Sequence, residues 1–73
     1  MKNQSKIWEE STRDLAVKLH SSLIISNKNW HKLKSNRKRR AAELISGAIV
    51  QLISDGKSSE IQDLLEQSIR WIN

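Results

Sequence analysis

Seven of the chain's 13 Lys and Arg residues fall between Lys28 and Arg40, in a stretch that contains no Asp or Glu. Forked guanidinium groups and point-charge ammonium groups at this density suit phosphate or carboxylate recognition, so Lys32, Lys34, Arg37, Lys38, Arg39 and Arg40 are the candidate contacts to an anionic partner. The other six cations stand against eight carboxylates, so the net charge of +5 comes from this one block. A solvated basic face is the bland alternative. Nucleic acid ranks slightly ahead of an acidic protein surface among partners, although the sequence shows no helix-turn-helix turn, zinc-finger spacing or sheet aromatics for base readout.

The residues that could support catalysis do not combine. His20 is followed by Ser21 and Ser22, but sequence neighbours on a helix point about 100° apart and make a poor nucleophile and base pair. His31 stands apart from any Cys, of which there are none. Glu9, Glu10 and Asp14 read as dipole and salt-bridge groups at a helix start rather than as metal ligands. No Gly-rich phosphate loop or nucleophile elbow occurs. The expectation is a protein that is not an enzyme, with no cofactor and no metal. Trp8, Trp30 and Trp71 are the only aromatics. Each suits a core anchor or an interface hot spot; Trp30 fits the core, and Trp71 is the candidate interface residue.

The elements that must position these residues are helices. With no Pro and two Gly residues, the punctuation comes from caps and periodicity. A first helix over about 6–25 carries Trp8, Thr12, Leu15, Ala16, Leu19 and Leu23 at spacings of three and four. A second over about 28–54 starts at an Asn27 or Asn29 cap and stops at the left-handed turn expected of Asp55-Gly56. A third over about 59–72 opens on capping-box spacing at Ser59 to Gln62 and carries Ile61, Leu64, Leu65, Ile69 and Ile72. The fold class is all-α, as a small three-helix bundle or a helical hairpin with a short third helix. Residues 1–73 form a single small helical domain in which residues 1–5 fray.

On a helical wheel, Trp30, Leu33, Ala41, Leu44, Ala48 and Leu52 share one face of the second helix. Lys34 and Arg37 interrupt that face. Arg37 therefore either leaves the core or bridges to an acid on a neighbouring helix, with Asp14 and Glu10 the nearest. A third helix of about 14 residues spans about 21 Å at 1.5 Å per residue, so it should end near Ala42 and leave the basic half as an uncovered ledge beside Trp71. Gly47, costly inside a helix, signals close approach by a neighbour such as the first helix.

A chain of 73 residues buries only about 60% of its unfolded surface, so stability must come from helix packing or oligomerisation. A homo-oligomer is one partner expectation. No apolar run approaches the roughly 20 residues of a membrane helix, and the N-terminus lacks a secretory signal pattern, so the expectation is a soluble, cytoplasmic protein that leaves the membrane alone. Trp30-His31-Lys32-Leu33-Lys34, Arg39-Arg40-Ala41-Ala42-Glu43-Leu44, Val50-Gln51-Leu52 and Trp71 resemble a small uncharacterised cyanobacterial family. The resemblance implies a short cytoplasmic helical protein of unknown function and assigns no site residue. Adaptor or accessory subunit, and structural homo-oligomer, stand as alternative roles.

Overall fold

The computed structural model describes residues 8–33 and 35–73. The expected fraying of residues 1–5 and the expected helix start at Lys6 lie outside that range, as does Lys34. Four helices follow one another: α1 (Glu10–Leu23), α2 (Asn27–Leu33), α3 (Arg37–Ile53) and α4 (Ser58–Ile72). The architecture is all-α, with no strand among the described residues.

The single helix expected over 28–54 is broken, and the sequence contains the reason. A continuous helix would set Lys34 against Lys38 at i,i+4, a repulsive pair that spans the joint. Ser35 and Asn36 compete for backbone hydrogen bonds and favour a cap over a helix interior. Asn36 accordingly caps α3, its side-chain oxygen accepting from the Arg39 N–H at 3.0 Å. At the preceding helix the cap is Ser26, not Asn27 or Asn29, and its hydroxyl accepts from the Asn29 N–H at 3.3 Å.

The other boundaries differ by smaller amounts. The first helix begins at Glu10 and ends at Leu23, where Ile24 turns extended. Asp55 itself takes the left-handed conformation that closes α3, with φ of 62°, and the Gly56 N–H donates to the Gln51 carbonyl at 2.7 Å. The capping box expected at Ser59 does not form. Lys57 precedes α4 without a side-chain cap, and its carbonyl accepts from Glu60 and Ile61.

Helix α3 is the axis of the molecule, packing on α1 along one flank and on α4 along another. Arg39, Glu43, Ser46 and Gly47 meet the α1 side, while Arg37 and Gln51 meet α4. At 100° per residue these flanks lie roughly 120° apart around α3, so the helices form an open, shallow layer rather than a closed bundle. Among the described residues the buried apolar ones are correspondingly few and small: Ala16, Ala41, Leu44, Ala48 and Ile61. Ser46 and Ser68 are buried too, each satisfied by the carbonyl three residues earlier.

Candidate functional site

The basic block spans α2 and the start of α3, and the structure gives all three of its arginines intramolecular partners. Arg37 reaches the C-terminus of α4, donating from Nη2 to the Arg70 carbonyl at 2.8 Å and from Nε to the Trp71 carbonyl at 3.0 Å. Its guanidinium also lies 5.4 Å from the Trp71 ring centroid. Arg39 does the same for α1, donating from Nη2 to the Ser22 carbonyl at 3.2 Å. Arg40 lies between two tryptophans, 6.0 Å from the Trp30 centroid and 5.8 Å from that of Trp71, and pairs with Glu43. Glu43 in turn accepts from the Ile25 N–H at 3.3 Å. The Nε atoms of Arg39 and Arg40 are buried without a hydrogen-bond partner among the described residues.

This seam has an electrostatic logic. Cations in the first turn of a helix oppose its dipole, and α3 opens on four of them. Because α1 and α4 run antiparallel to α3, their carbonyl-rich C-termini arrive at the same end, and the arginines bridge those negative ends to α3. The expected ledge is therefore covered only in part: α4 reaches Arg37 and Arg40, while Lys32 and Lys38 stay exposed. Helix α4 has 15 residues against 17 in α3, and α3 starts only at Arg37, so α4 reaches the basic segment instead of stopping near Ala42. Arg37 bonds α4 carbonyls, not Asp14 or Glu10. Trp30, expected in the core, is 39% exposed.

Of the candidate contacts, Lys32 and Lys38 are exposed, as is Lys28, which sequence reasoning had left out of the site. Among the described residues the one ion pair is Arg40 with Glu43, so these lysines have no carboxylate partner. Lys34 lies outside the described residues. Hydrogen bonds to neutral carbonyls leave the charges of Arg37 and Arg39 intact. They add to the positive potential of the edge while their donors are occupied.

His20 has a structural partner set. Its ring covers Gly47, whose missing Cβ would stand 3.1 Å from Cε1, so the close approach expected at this glycine is that of a side chain on α1. Nδ1 lies 3.0 Å from Ser46 Oγ, and that hydroxyl donates to the Glu43 carbonyl at 2.9 Å. With the hydroxyl proton committed, Nδ1 is the donor in its pair. Among the described residues no group of three or more His, Asp or Glu side chains is arranged to hold a metal, and no helix is long and apolar enough to cross a membrane.

A second surface was missed in the sequence. The α3 side turned away from both contact flanks carries Ala42, Ile45, Ile49, Leu52 and Ile53, with Leu52 53% exposed. Leu15 and Leu19 of α1 continue it on one side, and Leu65, Ile69 and Ile72 of α4 on the other, Leu15 and Ile69 exposed by 67% and 56%. The signal was present: from Ala41 to Ile53 the apolar residues run almost all round the helix, which an amphipathic surface helix does not show.

The model of a family of unknown function, DUF6439, matches residues 1–73, and the chain belongs to that family. No curated protein and no solved structure matches it.

Proposed function

We propose that this DUF6439 protein is a non-enzymatic binding module that holds an anionic partner, with nucleic acid as the partner class, along the edge formed by α2 and the start of α3. One observation carries the reading: Lys28, Lys32 and Lys38 stand exposed without an acid among the described residues, and the Trp30 ring on α2 is half-exposed. Seven cations between Lys28 and Arg40 meet a single carboxylate at this joint, that of Glu43. The local charge is therefore about +6, the field that draws a polyanion. Exposed aromatic rings among cations accept stacked bases from single strands, which an acidic protein surface would not exploit.

The roles divide accordingly. Lys28, Lys32 and Lys38 contact phosphates, Trp30 offers a stacking surface, and Arg37, Arg39 and Arg40 hold the edge together while contributing charge. Three direct phosphate contacts predict a log–log salt slope of about −2 for a single strand. Fluorescence anisotropy of a labelled oligonucleotide across a salt series measures it. The double variant Lys32→Glu, Lys38→Glu should abolish binding with the helical signal intact. Absence of binding by the unmodified protein at low salt would refute the reading, and binding that persists in the double variant would move the contacts elsewhere.

A further inference from the structure

We infer that the broad apolar face is covered by a second copy of this chain, making the protein a dimer of two stacked helical layers. The face centres on Ile49, with Ile45 and Leu52 beside it on α3, Leu19 on α1, and Leu65 and Ile69 on α4. The molecule's broad side, 43 by 23 Å, has room for an interface of roughly 800 Å² per partner.

Three observations select a second copy over a foreign protein. Among the described residues the buried apolar ones are three alanines, one leucine and one isoleucine, too little to hold a domain of this length without another layer. A partner that completes the core must be present whenever the chain is folded, a condition another copy meets. The α3 strip between Ala42 and Ile53 that faces outward carries no charge, with Lys38 at its N-terminal margin, so it has no element with which to select a charged partner. It is also the surface on which two chains of net charge +5 can meet without opposing their cations. The inference is independent of the basic edge, which lies at one end of the molecule.

Sedimentation equilibrium of the unmodified protein should give twice 8.4 kDa at micromolar concentrations. Ile49→Glu should give 8.4 kDa, and so should Ile49→Lys. Because either change can also unfold a chain with so small a core, the two variants are then mixed. Any two-fold axis in the interface passes near the middle of the face, so the mixture should recover the dimer and the helical circular dichroism of the unmodified protein. The chain has no cysteine, so Ile49→Cys supplies a further readout: it should form a disulfide-linked dimer at least tenfold faster than Ser59→Cys, on the α4 side of the layer away from the face. A monomer at all concentrations, or equal cross-linking at both positions, overturns the inference. A monomer whose stability is unchanged by Ile49→Glu leaves the face to a different protein, and the second copy is then wrong. Neither outcome alters the oligonucleotide test, which reads Lys32 and Lys38.

Discussion

Arg37→Ala separates a structural arginine from a functional one. In the structure Arg37 makes two hydrogen bonds to carbonyls at the end of α4, at 2.8 and 3.0 Å, and stacks against Trp71 at 5.4 Å. A net hydrogen bond contributes about 0.5–1.5 kcal/mol, and the exposure of this pair argues for the low end. An exposed cation–π contact adds about 0.5 kcal/mol, and a cation at a helix C-terminus about 0.3–1 kcal/mol. These terms overlap, so the expected loss is about 2 kcal/mol. That corresponds to roughly 10 °C in Tm for a domain of this size and to a urea midpoint lowered by about 1.5–2 M at a slope near 1 kcal/mol/M. Circular dichroism at fixed chain concentration measures it, since dimerisation makes the midpoint concentration-dependent. Amide exchange should rise in the last turn of α4. Arg37→Lys, with one point donor in place of the fork, should lose about half as much, and Lys38→Ala should stay within about 0.5 kcal/mol. If Arg37→Ala also stays within that range, the seam contributes nothing and Arg37 returns to the pool of free anion contacts.

Other consequences can be checked with the same instruments. Asn36→Ala removes the α3 cap and should cost about 1 kcal/mol in urea unfolding; no loss would mean that α2 and α3 can fuse without penalty. Asp55→Gly relieves a non-glycine left-handed residue and should raise stability by up to about 1 kcal/mol; a loss would place an unseen contact on the Asp55 side chain. Gly47→Ala gains about 1 kcal/mol of helix propensity, which the His20 ring at 3.1 Å should largely cancel. The gain should therefore appear in full only when His20 is also replaced by Ala, and equal effects in both backgrounds would contradict the packing.

The helical class and the ends of α3 and α4 were legible because caps, stop signals and apolar spacing are local. The break between α2 and α3 was not read, because periodicity through Trp30 and Leu33 matched periodicity from Ala41 onward, and the capping preference of Ser35 and Asn36 carries no periodic signature. Lys32 and Lys38 came through as exposed cations. Arg37 and Arg39 did not, since their partners are backbone carbonyls of α4 and α1 up to 34 residues distant, and a carbonyl has no residue type by which a sequence can reveal it. Trp30 was misplaced for the same reason: its neighbour is the Arg40 guanidinium, not the apolar stripe with which it shares spacing. The outward face of α3 was readable from the all-round apolar character after Ala41, but only the packing of α1 and α4 shows which side they leave open.

The placing of two tryptophans on either side of one guanidinium has an optical consequence. Trp30 and Trp71 both touch Arg40, and Trp8 is exposed at the chain's other described end, so none of the three rings sits among Ala16, Leu44 and Ala48. Two of the three tryptophans therefore watch the joint of α2, α3 and α4, while far-ultraviolet dichroism watches the helices as a whole. Were the joint to open before the layer melts, the two curves would separate, the emission changing first while the helical signal persists. A protein with so few probes thus carries, without any label, separate reporters for its hinge and for its frame.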